Sequence, residues 1–251
     1  MYIELFFRYF LPGLILPKMD RSIFPNALTL LNLIAGCVAV LVLLTGHHNY
    51  LVPLVLISGA ADFADGLVAR VLGVQSALGK QLDSLADVIS FGMVPGTILY
   101  VLLAGPNELS WSAIPAFVLT AFAAYRLGKF NIDERQNMGF IGLPTPACAL
   151  FVLGYWLWIQ EDAFGLGSVF SASYLLYGLI VILSWLMVAE IPMFSFKFKG
   201  LQWAGNQIKF IFAAIAIVAV IIMQELALAP LVLLYIILSI VWYWFTPKTS
   251  I

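Results

Sequence analysis

Four aspartates inside an apolar stretch are the residues of this chain best suited to chemistry. Asp62 and Asp65 lie three residues apart, and Asp83 and Asp87 lie four apart. In a helix, either spacing places both carboxylates on one face. A carboxylate at membrane depth is costly, and four converging acids repel one another unless cations neutralise them. The spacing therefore predicts a divalent metal site with carboxylate ligands.

Small residues accompany these acids. Gly66 and Ala69 share a helical face with Asp62 and Asp65, which leaves room for a ligand to approach the backbone closely. Mg²⁺ or Mn²⁺ held by carboxylates bridges phosphate oxygens and stabilises a leaving phosphate, so the pattern suits a diphosphate substrate. A carboxylate not fully committed to metal can take a proton from an attacking hydroxyl. A site at membrane depth further indicates that one substrate is a lipid.

The elements that position the acids are predicted to cross a membrane. The chain is 63% hydrophobic and 10% charged, with a mean hydropathy of +1.03, whereas about a quarter of the residues in a soluble domain are charged. This composition predicts an all-α, polytopic membrane bundle. Eight apolar runs are long enough to cross a bilayer. They lie at about 26–45, 50–72, 81–104, 113–131, 145–160, 172–190, 207–224 and 228–246.

The basic residues sort to one side of these spans. All 12 Lys and Arg residues lie before the first span, in alternate loops or the span ends beside those loops, or in the tail. The acids of the opposite loops are Glu108, Glu161, Asp162 and Glu225. By the positive-inside rule both termini are cytoplasmic. Asp62 then lies roughly 16 Å along the second span and Arg70 roughly 28 Å along it, so the site opens toward the cytoplasm.

The first 20 residues form a separate element in this interpretation. Their apolar residues follow helical spacing on one face, and Glu4 and Arg8 form an i,i+4 pair opposite. The apolar residues are Ile3, Phe6, Phe7, Phe10 and Leu11. An amphipathic helix on the inner leaflet fits this pattern, and so does a helix docked on the bundle.

The acidic pattern also matches a known family. The motif Asp62-x2-Asp65-Gly66-x2-Ala69-Arg70-x8-Gly79-x3-Asp83-x3-Asp87 resembles that of the CDP-alcohol phosphotransferases at every fixed position. The resemblance covers roughly residues 22–150, the expected catalytic core, and leaves 151–251 as helices that complete the bundle. It implies a cytoplasm-facing site and a homodimer.

The resemblance also implies roles for individual residues. Asp62, Asp65 and Asp83 would bind the metal, and Asp87 would act as general base and touch the metal. CDP-diacylglycerol would be bound by Asn26, Thr29, Asp62, Gly66, Ala69, Arg70 and Gly79. Asn26 has an alternative role as the cap of the first helix behind Pro25.

The acceptor is predicted from further segments. Residues 25–36, 82–92, 126–131 and 140–146 resemble the branch of the family that uses L-serine, which implies transfer of a phosphatidyl group to the serine hydroxyl with release of CMP. Arg126, Lys129 and Asn131 are the candidate acceptor-binding residues. Lys129 stands where that branch often has Arg, and so lacks the guanidinium fork. Arg126 fits a topology anchor at the cytoplasmic rim, a partner of a phosphate or a partner of the serine carboxylate.

Other functions share part of this pattern. Glycerol 3-phosphate or an inositol phosphate would use the same metal site. Buried acids also occur in cation transporters, but residues 145–246 contain no acidic cluster to match the first, as paired transporter halves would. We expect an integral protein of a bacterial inner membrane, with the lipid bilayer and no nucleic acid among its partners.

Overall fold

The computed structural model describes residues 21–133, 140–194 and 206–245. The predicted helix at 1–20 lies outside these residues, as do Arg135, Lys197, Lys199 and Lys248. The described chain is almost wholly helical, which confirms the predicted all-α class. The α-helices are α1 (Ile23–Leu44), α2 (Leu51–Leu72), α3 (Ala77–Asp87), α4 (Val94–Ala104), α5 (Val118–Ile132), α6 (Thr145–Gln160), α7 (Gly167–Phe170), α8 (Ser173–Val188), α9 (Gln207–Met223) and α10 (Leu228–Phe245).

Shorter elements join these helices. Four 3₁₀ segments lie at His48–Tyr50, Trp111–Phe117, Ala163–Gly165 and Gln224–Ala227 of the described chain, and a π-helical turn spans Val88–Met93. Two strands of two residues each, β1 (Phe140–Ile141) and β2 (Pro192–Met193), pair antiparallel with Phe140 opposite Met193.

Four helical stretches of the described residues are long and apolar enough to cross a membrane. They are Ile23–Leu44, His48–Leu72, Ala77–Ala104 and Gln207–Tyr243. Thr145–Gln160 and Ser173–Val188 are shorter apolar helices. In the last long stretch, the positive φ of 51° at Gln224 ends α9 before α10 begins. The prediction of eight spans stays a prediction.

The π-helical turn separates the two halves of one long helix. Pro95 occupies the first turn of α4 and has no N–H to donate to the carbonyl four residues earlier. The regular hydrogen-bond ladder therefore cannot pass unchanged through Val88–Met93, and the wider turn accommodates the mismatch. Such turns are frequent at functional sites. This one begins directly after Asp87.

Close packing brings the acidic helices together. α1 packs along α2 and also contacts α3, the π turn and α4. Gly36 allows α1 to pack closely against the π turn, since a Cβ at position 36 would collide with the side chain of Ser90. Gly73, at φ 64°, ends α2 in the left-handed conformation. Ser76 then caps α3 by accepting a 2.9 Å hydrogen bond from the Gly79 amide.

The second half of the chain encloses α6. This helix packs against α4 and α10, and α10 also contacts β2. Gly142 has a φ of 75°, and its amide donates to the Ile191 carbonyl at 2.9 Å, joining the loop before α6 to the loop after α8. Leu99, Leu153 and Leu176 are fully buried in the core among these helices.

Candidate active site

A cleft of about 440 Å³ lies among α1, α2 and α3. Its wall includes six of the seven residues predicted to bind the nucleotide lipid, all except Asp62. These are Asn26, Thr29, Gly66, Ala69, Arg70 and Gly79. Asp65 and Asp83 also line it. Residues from the α2 part and the α3 part of the sequence motif therefore line the same cleft.

Asn26 lies inside α1 rather than at its cap. The helix begins at Ile23, and the Asn26 amide donates to the Ser22 carbonyl at 3.1 Å. The capping alternative is therefore wrong. The Asn26 Oδ1 atom instead lies 3.4 Å from where a Cβ of Gly79 would stand. Any larger residue at position 79 would crowd this side of the cleft.

Three of the four aspartates converge beside the cleft. One carboxylate oxygen from each of Asp62, Asp83 and Asp87 lies within 4.8 Å of the other two. Asp62 and Asp83 are half-buried and Asp87 is buried. Within the described residues, none of the three has an ion-pair partner among the Lys and Arg side chains. Closely spaced carboxylate oxygens without an ion-pair partner are the kind of ligand set that binds a divalent cation.

Asp65 has a different environment from the other three acids. It is buried, and its carboxylate accepts a 2.5 Å hydrogen bond from the Thr29 hydroxyl. Thr29 also donates toward the Pro25 carbonyl at 3.1 Å. Asp65 is absent from the group of three convergent carboxylates, although it lines the same cleft. Its predicted role as a metal ligand stays a prediction.

A buried polar network supports Asp87. Asn32 Nδ2 donates to Asp87 Oδ1 at 3.3 Å. The Asn32 side-chain oxygen in turn accepts a hydrogen bond from Ser58, and its backbone carbonyl accepts one from Ser90 at 3.1 Å. The amide of Asn32 is therefore oriented with its NH₂ group toward Asp87. Sequence reasoning assigned no role to Asn32 or Ser58; the available signal was an amide and a hydroxyl inside apolar spans.

The cleft also includes residues that sequence reasoning missed. Val74, Gln75 and Ser76 line it, together with Lys80. The first three fall within the eight unspecified motif positions between Arg70 and Gly79, where no residue type is fixed. Spacing alone could not identify them, because only the fold of the α2–α3 connection turns them inward.

Arg126 is buried within the bundle rather than exposed at the rim. Its side chain is 6% exposed, and its Nε and Nη2 atoms have no hydrogen-bond partner among the described residues. Its Cζ atom lies 5.9 Å from the Phe130 ring centroid. The guanidinium interacts electrostatically with Asp87. An unpaired buried cation is costly, so this arrangement favours an anion-binding role over a topology anchor.

The other two candidate acceptor residues have protein partners. Lys129 forms an ion pair with Glu190 at 3.5 Å. Asn131 Nδ2 donates to the Ser84 hydroxyl at 2.8 Å, and the Asn131 carbonyl accepts from Lys80 at 3.1 Å. The two Asn131 contacts hold the end of α5 against α3. Of the three candidates, Arg126 is the one whose polar atoms are left for a ligand.

Comparison with protein families agrees with this geometry. Residues 22–196 match the family model described as CDP-alcohol phosphatidyltransferase. The chain belongs to this family. The match covers the cleft, the acidic cluster and Arg126, and it ends before α9. Membership of the CDP-alcohol phosphatidyltransferase family, together with the apolar helices, supports an integral membrane protein and makes it an enzyme.

Individual family members resemble most of the chain. A CDP-diacylglycerol–serine O-phosphatidyltransferase of Helicobacter pylori (strain J99) is 32% identical over 231 residues, which is 90% of this chain and 93% of that protein. One of the same name from Methanocaldococcus jannaschii is 32% identical over 216 residues, covering 86% and 91%. One from Mycobacterium leprae is 29% identical over 182 residues, covering 70% of this chain and 59% of the relative.

Proposed function

We propose that this protein transfers a phosphatidyl group from CDP-diacylglycerol to the hydroxyl of L-serine, giving phosphatidylserine and CMP. The observation that carries the proposal is the convergence of Asp62, Asp83 and Asp87 beside a cleft lined by the rest of the family motif. The names of the relatives support serine as the acceptor.

The cleft binds the nucleotide end of CDP-diacylglycerol. Gly66, Ala69 and Gly79 give it a wall with little side-chain bulk, so a planar base and ribose can approach the backbone. Arg70 lies beside this wall, with Nη1 3.9 Å from where a Cβ of Gly66 would stand. Its guanidinium is suited to a phosphate oxygen of the nucleotide. Asn26 and Thr29 complete the pocket from α1.

Asp87 removes the proton from the serine hydroxyl. The serine oxygen forms a bond to the phosphorus that carries diacylglycerol, and the bond from that phosphorus to the bridging oxygen breaks, so CMP leaves with both electrons. A divalent cation, Mg²⁺ or Mn²⁺, held by Asp62, Asp83 and Asp87 with Asp65 as a further ligand, supplies charge neutralisation of the diphosphate when bound. Asn32 orients the Asp87 carboxylate by donating to its Oδ1.

Arg126 binds the carboxylate of the incoming serine. A guanidinium with two partnerless nitrogens offers directed donors to a carboxylate. Its electrostatic interaction with Asp87 supports an acceptor site on the side of the base. Lys129, already paired with Glu190, contributes positive charge at the entrance, and Asn131 fixes the end of α5.

The membrane arrangement follows from the sorted charges. In this proposal eight helices cross a bacterial inner membrane, residues 1–20 form an amphipathic interfacial helix, both termini and the cleft face the cytoplasm, and the enzyme is a homodimer. The orientation is supported by the absence of Lys and Arg from the loops at Glu108, Glu161 and Glu225.

An acceptor screen tests the proposed function. The purified protein would receive CDP-diacylglycerol with Mg²⁺ or Mn²⁺ and, in parallel, radiolabelled L-serine, glycerol 3-phosphate or inositol phosphate. Labelled lipid is expected from serine, with an equal amount of CMP. Lipid labelled by glycerol 3-phosphate but not by serine would contradict the acceptor while leaving the family chemistry in place.

A further inference from the structure

Lys80 is a basic residue of the cleft to which the family motif assigns no role. It falls at an unspecified motif position between Gly79 and Asp83, and it lines the cleft. Arg70 is the other basic residue of the described chain that lines this space. Arg70 lies in the last turn of α2, and Lys80 lies in the first turn of α3. The α2 wall and the α3 wall of the cleft therefore carry one cation each.

The Lys80 ammonium is bonded to α5 rather than to the acids on its own helix face. Lys80 precedes Asp83 by three residues and Asp87 by seven, so the three share a face of α3. The first spacing would allow an ion pair between Lys80 and Asp83. Instead, Lys80 Nζ donates to the Asn131 carbonyl at 3.1 Å, in the last turn of α5. Within the described chain, no ion pair therefore neutralises either the ammonium or these two acids.

A closed ring of hydrogen bonds fixes Lys80 in this position. The Ser84 hydroxyl donates to the Lys80 carbonyl at 3.2 Å, and Asn131 Nδ2 donates to the Ser84 hydroxyl at 2.8 Å. The bond from the ammonium to the Asn131 carbonyl closes the ring. An ammonium has three N–H donors, and this bond uses one of them. The other donors are therefore available to a ligand in the cleft.

We propose that Lys80 binds the phosphate of the CMP part of the substrate from the α3 wall, as Arg70 does from the α2 wall. This inference rests on the proposed function and adds to the cleft a residue outside the motif. Lys80 directly follows Gly79 of the nucleotide wall, so the phosphate nearest the nucleoside is the one within its reach. As CMP leaves, this phosphate gains negative charge, and an ammonium beside it stabilises that charge.

The alternative role for Lys80 is to attach α5 to α3. A lysine bonded to a carbonyl in the last turn of a helix stabilises that helix end. Its loss would then disturb α5, which carries Arg126, and would affect the acceptor rather than the nucleotide. The two roles can be separated, because only the first involves the phosphate of the nucleotide.

The test compares the binding of CMP and cytidine, which differ only by the phosphate. Both dissociation constants would be measured by calorimetry on the full-length protein in detergent with Mg²⁺, so no acceptor takes part. Lys80→Met removes the ammonium and keeps most of the aliphatic chain. Lys80→Gln removes the charge and keeps a donor for the Asn131 carbonyl. Ser84→Ala is the matched control, because it breaks the ring and keeps the ammonium.

Both Lys80 variants should bind CMP roughly 5- to 20-fold more weakly, the size of one charge-assisted hydrogen bond at a solvent-exposed position. Their affinity for cytidine should stay within about twofold, which also shows that the cleft is folded. Ser84→Ala should leave both affinities within about twofold. An unchanged affinity of the Lys80 variants for CMP, an equal loss for CMP and cytidine, or the same loss in Ser84→Ala would overturn the inference.

Failure of this inference is distinguishable from failure of the proposed function. If the unaltered protein and the Lys80 variants bind CMP equally well, the role of Lys80 alone is overturned. If the Lys80 variants lose affinity for CMP as expected but the unaltered protein incorporates no labelled serine, the acceptor is overturned and the role of Lys80 stands. No binding of CMP by the unaltered protein would overturn both.

Discussion

The acidic region and the cationic region of the site are built in opposite ways. Asp65 and Asp87 are each held by a neighbouring side chain, Thr29 and Asn32 respectively. Arg126, by contrast, leaves two of its nitrogens without a hydrogen-bond partner in the described chain. These two carboxylates are therefore already oriented by hydrogen bonds within the protein, whereas the guanidinium has N–H donors available for a ligand.

This difference matches the substrates that each region would bind. A diphosphate is negatively charged and is repelled by three convergent carboxylates, so it can bind beside them only when a divalent cation lies between the two. A serine carboxylate carries one negative charge, and a single guanidinium can bind it directly. The two regions meet at Asp87, which belongs to the acidic cluster and also interacts with Arg126.

Loss of a carboxylate from the acidic region should have the largest effect. Asp83→Asn keeps the size of the side chain and removes the charge that holds a cation. CMP release would be measured against Mg²⁺ and Mn²⁺ concentration. Loss of a group that only hydrogen-bonds to a metal ligand typically lowers activity roughly 10- to 100-fold, and loss of the ligand Asp83 should lower CMP release by more than that. EDTA treatment of the unaltered protein should have the same effect.

Asp162→Asn is the matched control for that experiment. Asp162 lies in an opposite loop, and its Oδ1 accepts a 2.8 Å hydrogen bond from the Gly167 amide, which an Asn oxygen can also accept. It should retain normal turnover. Near-normal, metal-dependent turnover in Asp83→Asn would contradict the ligand assignment.

Loss of the support behind Asp87 should have a smaller effect. Asn32→Leu keeps the branched shape of the side chain and removes the donor to Asp87, so kcat should fall roughly 10- to 100-fold. Ser58→Ala removes a group one hydrogen bond further away and should cost less. If Ser58→Ala costs as much as Asn32→Leu in steady-state assays, the network acts through packing rather than through Asp87.

The helices were predictable where their sequences are uniformly apolar. The span predicted at 145–160 coincides with α6, and the one at 50–72 nearly coincides with α2. The span predicted at 81–104 starts late, because the first turn of α3 contains Gly79 and Lys80 and lacks an apolar run. The π turn before Pro95 was not predicted, since a proline indicates a break in the helix but not the form that the break takes.

The site was predictable where its residues are close in sequence. The motif residues act through two helices joined by a short loop, so their spacing specifies their shared faces. Arg126 lies on α5, outside this pair of helices, and no fixed spacing relates it to the motif. For the same reason, the partners of Lys129 and Asn131 could not be read from the sequence.

Asp87 offers the most direct test of the account, because it joins the two regions. CDP-diacylglycerol binding and serine-dependent turnover would both be measured for Asp87→Asn and for the unaltered protein. The account predicts that binding is largely retained while turnover falls roughly a hundredfold or more, the scale of losing a general base. A loss of binding as large as the loss of turnover would contradict it and make Asp87 mainly a metal ligand.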